Sequence, residues 1–253
     1  MGRPLGSRWE DCDLKGTLLN TATVAVGATI GALAGNQIPD GYKGLVLSGL
    51  GLVTMGLGVK LFLESRKVLV VAGAIALGGI LGMAIGIQAG IESFAEWAKV
   101  TLGGEGRFAE GLVTASVLFC IGPTTLLGCI QDGLEKKIDL LALKSTMDMF
   151  AAMFFAASMG WGVLASAAVV LVFQGALTLA ARYLRPLAHD QELLAEVSGT
   201  GGVMMLAIGL GLLEIKKLPT ADYLPAIFLA PLMVFLGRTL FQSKSKQETT
   251  RTE

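Results

Sequence analysis

The sequence predicts an all-α, polytopic membrane helix bundle of about eight transmembrane helices. Of its 253 residues, 53% are hydrophobic and only 16% are charged, whereas a soluble domain carries about 25% charge. The mean hydropathy is +0.66. The chain also contains 34 glycines, and small residues allow the close helix–helix contact that is typical of proteins in lipid.

The apolar runs that are long enough to cross a bilayer define these helices. They cover residues 16–35, 44–63, 67–91, 109–130, 140–159, 162–182, 197–214 and 221–241. Residues 1–15 mix acids and bases and lack a clear cleavage site, so they indicate a cytoplasmic segment before a retained first helix and not a signal peptide. Residues 92–107 predict an interfacial amphipathic helix that ends at Gly103-Gly104, with an ordinary loop as the alternative. Residues 242–253 predict a disordered cytoplasmic tail.

The distribution of basic residues predicts the orientation in the membrane. With eight spans and both termini in the cytoplasm, 15 of the 20 Lys and Arg residues lie in cytoplasmic segments, as the positive-inside rule requires. The five on the outer side are Lys43, Lys99, Arg107, Lys216 and Lys217. A seven-span alternative, with one re-entrant run, breaks this alternation. We therefore expect a multi-pass membrane protein with both termini in the cytoplasm.

An internal repeat suggests how the helices are grouped. Residues 48–67 align without gaps on residues 198–217, and 8 of the 20 positions are identical, including the pair Glu64 and Glu214. Residues 16–20 align loosely on residues 162–166. The predicted topology orients the two copies oppositely, as in many secondary transporters. We therefore expect an inverted repeat within a transmembrane domain spanning 16–241: repeat one at 16–91, linking helices at 109–159 and repeat two at 162–241. Chance similarity between glycine-rich helices is the alternative.

Composition and motifs argue against several classes of function. A net charge of zero gives no support for a nucleic-acid partner. Three cysteines without regular spacing favour neither a disulfide framework nor a metal site. No serine-hydrolase set, zinc-protease motif or nucleotide-binding loop is present. We therefore expect no cofactor, no metal and no enzymatic activity.

The first candidate site is the stretch Lys144-Ser145-Thr146-Met147-Asp148. A carboxylate near the middle of a span costs about 2.5–3.5 kcal/mol, so it is rarely without a role. Lys144 lies one helical turn before Asp148 and faces the same side. The functional interpretation is an ion ligand or proton carrier with Lys144 as its counter-ion; the alternative is a structural ion pair.

The second candidate site is the Gly122-Pro123 dipeptide within the fourth run. Proline lacks an N–H and clashes with the preceding turn, so it breaks or kinks the helix. We expect the freed carbonyls before it to be available to a cation, and Thr124 and Thr125 to offer hydroxyl groups beyond it. A proline kink that is stabilised by packing is the alternative.

Further polar residues lie within the apolar runs. Asn20 and Ser166 occupy equivalent positions in the two repeats, and Gln174 follows Ser166 by two turns. They predict either a shared solute site near the pseudo-two-fold axis or ordinary hydrogen bonds between helices. Asp132 is predicted to cap the cytoplasmic end of the fourth span, with a solute role as the other possibility.

Several motifs carry a resemblance to a known family. They are residues 16–20 (GTLLN), 49–58 (GLGLVTMGLG), 110–133 (EGLVTASVLFCIGPTTLLGCIQDG), 144–148 (KSTMD) and 212–217 (LLEIKK). Over about residues 14–240 the chain resembles the YqgA/YdfK-like family of uncharacterised bacterial inner-membrane proteins. The resemblance implies an integral membrane protein of bacterial type and no particular activity.

The residues, and not the resemblance, lead to the functional hypothesis. We expect a secondary transporter or channel for a small ion or polar solute, with its site near mid-membrane at the Gly-Pro break. The alternative is a non-transporting membrane scaffold or partner-binding subunit. The glycine-rich helix faces are also compatible with a homodimer.

Overall fold

The fold is an assembly of helices, and the described residues contain no strand. The computed structural model describes residues 14–35, 37–102, 107–120 and 123–249. Their α-helices are α1 Lys15–Gly35, α2 Asp40–Phe62, α3 Val68–Ile85, α4 Ile87–Leu102, α5 Phe108–Cys120, α6 Pro123–Glu135, α7 Asp139–Met159, α8 Gly162–Leu179, α9 Ala181–His189, α10 Gln191–Leu212 and α11 Ala226–Thr249. A short 3-10 helix, Thr220–Tyr223, precedes α11.

The apolar runs correspond to these helices. Within the described ranges, seven helical segments are long and apolar enough to cross a membrane, and α5 with α6 forms an eighth if the bent pair counts as one span. The predicted fold class, an all-α membrane bundle, is therefore confirmed. Many large hydrophobic side chains, mostly Leu, Val, Ile and Phe, are exposed on the described helices, which suits contact with lipid acyl chains.

The predicted break in the fourth run separates α5 from α6. The two helix axes differ in direction by 64°, and α6 begins at Pro123, a position where the missing proline N–H costs no helical hydrogen bond. Gly122 lies outside the described residues. The hydroxyl of Thr125 donates to the carbonyl of Phe119 across the break at 3.4 Å. One of the carbonyls expected to be free for a cation is therefore already paired.

Several helix ends differ from the sequence-based boundaries. The run 67–91 is divided at Gly86, whose φ of +78° favours glycine, so the amphipathic helix α4 begins at Ile87. Helix α9 lies between the predicted runs 162–182 and 197–214. The side chain of Asp190 accepts hydrogen bonds from the N–H groups of Glu192 and Leu193, so α10 starts earlier than residue 197. Helix α11 continues through residues 242–249, which the sequence analysis places in a disordered tail.

The helices form pairs whose directions can be derived from their contacts. Helices α2 and α10 are antiparallel, because Gly51 lies against Gly209 while Gly58 lies against Gly202. Helices α3 and α11 are antiparallel as well, since Gly82 lies against Asp222 and Gly73 against Met233.

Helix α1 contacts two helices that run in opposite directions, one antiparallel and one parallel to α1. It is antiparallel to α8, because Thr17 bonds Thr178 and Asn20 bonds Gln174. It runs parallel to α7, its most extensive contact, with Gly27 against Met149 and Gly35 against Ala157. Each helix of the first predicted repeat thus contacts an antiparallel helix of the second.

Ion pairs define the two ends of the bundle. Before α10, Arg238 pairs with Asp190 and Glu192, and its hydrogen bond lowers the pKa of Asp190 to about 2. After α10, which spans about 33 Å, the carboxylates Glu110 and Glu214 pair with Arg107, and Glu110 also with Lys217. The membrane-spanning core lies between these two charged layers.

Candidate functional site

A chain of polar side chains crosses part of the apolar core where α1, α6, α7 and α8 meet. We call it the polar column; its members are Asp132, Thr17, Thr178, Asn20, Gln174, Asp148 and Lys144. Each member exposes 8% of its surface or less. Polar groups in such an environment require partners inside the protein, and the partners define the geometry described next.

Asp132 forms the base of the polar column at the start of α1. Its carboxylate accepts hydrogen bonds from the backbone N–H groups of Gly16 at 3.1 Å and Thr17 at 3.3 Å. These N–H groups have no partner within α1, and the helix dipole favours a negative charge there. The hydroxyls of Thr17 and Thr178 follow at 3.0 Å from each other. Asp132 thus caps α1, and its expected role at the cytoplasmic end of the fourth span stays a prediction.

The upper part of the polar column surrounds Asp148, the tenth of the 21 residues of α7. The amide Nδ2 of Asn20 donates to Asp148 Oδ2 at 3.0 Å and to Gln174 Oε1 at 3.2 Å. The ammonium of Lys144 donates to the same Oδ2 of Asp148. The structure therefore brings together four of the predicted site residues, which three different helices contribute.

Two atoms of this cluster remain without a hydrogen-bond partner among the described residues. They are the acceptor Oδ1 of Asn20 and the donor Nε2 of Gln174, and both side chains are completely buried. A buried polar group that lacks a partner costs about 1–3 kcal/mol. The polar column thus has capacity for one further hydrogen-bond donor or cation and for one further acceptor.

The remaining predicted site residues lie outside this network. The hydroxyl of Ser145 donates to Leu141 O, and that of Ser166 donates to Val163 O, each at 2.6 Å and within its own helix. Ser166 is thus not the partner of Asn20; Gln174 is. Thr124 is exposed, and Thr125 spans the α5–α6 break.

Helix α10 carries a fully buried carboxylate, that of Glu196, which no sequence motif indicated. It accepts hydrogen bonds from the hydroxyl of Ser65 at 2.7 Å and from the N–H groups of Arg66 and Lys67 at 2.8 Å. These groups immediately precede α3, so the hydrogen bonds of Glu196 connect the α2–α3 turn to α10. Glu192, one turn earlier on the same helix, forms ion pairs instead. The sequence alone does not distinguish these two glutamates.

Asp222 has a similar role at the other end of α3. It accepts a hydrogen bond from the N–H of Gln88 at 2.8 Å, and Gln88 Oε1 accepts one from the N–H of Ala221 at 3.2 Å. This reciprocal pair connects the start of α4 to the 3-10 helix before α11. Together, Asp132, Glu196 and Asp222 show that buried acids here stabilise helix starts.

A cavity of about 590 Å³ opens between α4, α5 and the end of α10. Its polar lining contains three glutamates and one lysine among neutral groups: Gln88, Glu92, Glu96, Glu110, Thr114, Lys217 and Thr220. None of the residues lining it belongs to the polar column. The spacing of Glu92 and Glu96 on one helix face was the sequence signal that could have indicated it.

The described residues contain no group of three or more His, Cys, Asp or Glu side chains arranged to hold a metal ion. The polar column instead offers single oxygen atoms from a carboxylate, amides and hydroxyls. Such oxygens interact with hard cations, protons and polar solutes.

Comparison with known proteins identifies relatives along most of the chain. Residues 15–235 match the family described as "Protein of unknown function (DUF554)". The chain is 28% identical to the uncharacterized membrane protein YdfK of Bacillus subtilis (strain 168) over 225 residues, which are 87% of this chain and 96% of YdfK. It is 29% identical to the uncharacterized protein YqgA of Escherichia coli (strain K12) over 221 residues, 85% of this chain and 94% of YqgA. No solved structure matches. The chain is therefore a membrane protein of the DUF554 family.

Proposed function

We propose that the protein is a secondary transporter or channel for a small ion or polar solute, and that the upper part of the polar column is its site. The observation that carries this proposal is the buried Lys144–Asp148 pair, bonded to Asn20 beside two amide atoms that lack partners. Charged groups within the membrane are costly and are concentrated along ion and solute paths. A purely structural pair would gain nothing from leaving neighbouring polar atoms unsatisfied.

The predicted inverted repeat, if present, would favour the same proposal. The alignment of residues 48–67 on 198–217 equates Met55 with Met205. The contact of Gly51 with Gly209 and that of Gly58 with Gly202 lie symmetrically about these two methionines, as expected for a two-fold axis between α2 and α10. Alternating access in such folds moves one repeat against the other around a central site.

Two further features suit a transport path. The side chains of Lys144 and Asp148 remain 10% and 11% exposed, so the pair is not completely sealed. The cavity of about 590 Å³, which three glutamates help to line, forms a recess at the end that the positive-inside rule assigns to the outer face. With both termini in the cytoplasm of a bacterial cell, the cavity then faces outward from the inner membrane.

Flux through reconstituted protein tests the proposal. We expect proteoliposomes to accumulate or release at least one of a panel of alkali cations, protons, chloride and small neutral amides. Asp148→Asn should reduce that flux about tenfold or more, because a hydrogen bond to a charged group contributes about 1.5–3 kcal/mol.

The matched control is Asp139→Asn at the exposed start of the same helix, which should leave flux unchanged. Equal flux in Asp148→Asn and the native protein would remove Asp148 from the mechanism. Absence of flux for the whole panel, with a stoichiometric protein partner co-purifying, would instead favour a scaffold or partner-binding subunit.

A further inference from the structure

We infer that the cavity of about 590 Å³ between α4, α5 and the end of α10 is a binding site for an organic ammonium ion, that is, for a small amine with an apolar body. This site is separate from the polar column, with which it shares no lining residue. The inference goes beyond the proposed function and does not depend on it, because a membrane protein that transports nothing could bind such a ligand as well.

The cavity has the size and the apolar lining of a small-molecule site. Such sites enclose about 300–1,000 Å³ and are lined mainly by hydrophobic side chains with a few polar groups. The apolar part of the lining consists of Ala109 and Val113 of α5, Ala207 and Ile208 of α10, and Leu218 and Pro219 before the 3-10 helix. A hydrocarbon group that covers these side chains leaves water, which favours binding.

The charges of the lining favour a cation. Three glutamates and one lysine line the cavity, so negative charge is in excess. Both carboxylate oxygens of Glu110 accept hydrogen bonds, from Arg107 at 2.7 and 2.9 Å and from Lys217 at 2.9 Å. Glu92 and Glu96 have no cationic partner among the described residues. These two carboxylates lie one turn apart on the same face of α4, so one ammonium group can interact with both.

The glutamates of this cavity are not arranged as a metal site. Among the described residues, no three His, Cys, Asp or Glu side chains are placed to hold a metal ion. A primary ammonium group has different requirements, because it donates three hydrogen bonds to separate acceptors. Such acceptors are present: Glu92 uses only Oε1, which accepts from Gln88 at 2.7 Å, and the carboxylate of Glu96 has no partner in the described part of the chain.

A buried hydroxyl without a partner belongs to the same lining. Thr220, in the 3-10 helix before α11, exposes only 6% of its surface and lines the cavity. Its hydroxyl makes no hydrogen bond within the described ranges. A buried polar group of this kind is unfavourable unless water or a ligand supplies the partner. We therefore assign the Thr220 hydroxyl to the ligand as a further acceptor.

The side chain of Gln88 brings this hydroxyl and the free carboxylates to the same part of the cavity. Its Nε2 donates to Glu92 at 2.7 Å, and its Oε1 accepts from the N–H of Ala221, the residue after Thr220, at 3.2 Å. Both ends of the amide are thus occupied. Gln88 therefore positions the acceptors on its two sides and leaves them to the ligand.

Equilibrium dialysis tests the inference with 2-phenylethylamine as the probe. The full-length protein is placed in phosphatidylcholine nanodiscs at pH 7, where the amine is charged, and binding to empty nanodiscs is subtracted. We expect saturable binding of the amine and about fivefold weaker binding, or less, of its uncharged counterpart 2-phenylethanol. From methylamine to butylamine, the affinity should rise about threefold to fourfold for each methylene group that enters the cavity.

Isosteric variants locate the site. Glu96→Gln should weaken amine binding about fivefold, because it removes one of the two uncompensated charges. The double variant Glu92→Gln/Glu96→Gln should weaken it further. The matched control is Glu64→Gln in the α2–α3 turn, an exposed glutamate that does not line the cavity. It removes the same charge and should bind the amine like the native protein.

Thr220→Val tests the hydroxyl without a change of charge. Valine has nearly the same shape, and a buried hydroxyl without a partner is lost, so the Tm of the protein without amine should stay equal or rise. The affinity for 2-phenylethylamine should nevertheless fall about threefold to tenfold, because one hydrogen bond to the ammonium group is missing.

Absence of saturable amine binding, or equal affinities for 2-phenylethylamine and 2-phenylethanol, would overturn the inference. So would an unchanged Kd in the double glutamate variant or in Thr220→Val, because the groups assigned to recognition would then have no effect. These outcomes differ from those of the flux assay. Amine binding without any flux contradicts the transport proposal alone, and flux of another solute without amine binding contradicts the amine site alone.

Discussion

Replacing Lys144 by methionine should lower the free energy of unfolding by about 3–5 kcal/mol, because it leaves the buried carboxylate of Asp148 without its counter-charge. Asp148→Asn should have a similar cost, since the buried ammonium then lacks its partner. The double variant Lys144→Met/Asp148→Asn should cost clearly less than the sum of the two, because it buries no unpaired charge. Unfolding in mixed micelles, in choline buffer without alkali cations, measures all four proteins.

The expected coupling distinguishes a buried pair from an exposed one. Lys137 and Glu135 form an ion pair at 2.9 Å with exposed side chains, and exposed pairs contribute about 0–1 kcal/mol. Neutralising either of these two residues should therefore have little effect. Additive costs for Lys144→Met and Asp148→Asn would mean that the two side chains do not interact in the native protein.

Gly31→Ala should also destabilise the protein, by about 1–3 kcal/mol or more. Gly27, Gly31 and Gly35 form the face of α1 on which α7 lies, and a Cβ on Gly31 would overlap the backbone of Met153. Backbone atoms cannot move aside as a flexible side chain can, so α1 and α7 would have to separate. The hydrogen bond between Asn20 and Asp148 joins the same two helices, and flux should fall together with stability.

A matched glycine on α2 provides the control. A Cβ on Gly49 would meet nothing within 4 Å, and alanine is favoured over glycine in a helix interior by about 0.5–1 kcal/mol. Gly49→Ala should therefore be neutral or slightly stabilising, opposite in sign to Gly31→Ala. Equal thermal stability of the two variants would contradict the close contact of α1 with α7.

The spans could be predicted from sequence because hydropathy over about 20 residues is a local property. The same reasoning located the helix break at Pro123, because proline acts on its own backbone. The pairing of Asp148 with Lys144 could be predicted as well, since two opposite charges one turn apart in an apolar run are visible without any distant contact. The inverted repeat, which was inferred from counting spans, stays a prediction.

What sequence reasoning could not provide were contacts between distant segments. Asn20 pairs with Gln174 and not with Ser166, because the crossing point of α1 and α8 determines which residues meet. Glu196 lies just outside the predicted run 197–214 and carried no sequence signal, although it is completely buried against the α2–α3 turn. Asp132 caps α1, a helix more than a hundred residues away in the chain. No periodicity or composition encodes such partners.

Transport depends on water access to the polar column. The labelling of a single introduced cysteine by a water-soluble reagent measures that access. The background protein has Cys12, Cys120 and Cys129 replaced. In it, Asp148→Cys places a thiol beside Lys144. A neighbouring ammonium favours the thiolate form, so the pair keeps an anion. We expect 2-aminoethyl methanethiosulfonate, a small cation, to label it in native membranes. Ala152→Cys, one turn further on α7 and completely buried, should stay unlabelled. Equal protection of both cysteines in membranes, with full labelling of both after denaturation, would contradict a solute path through Asp148.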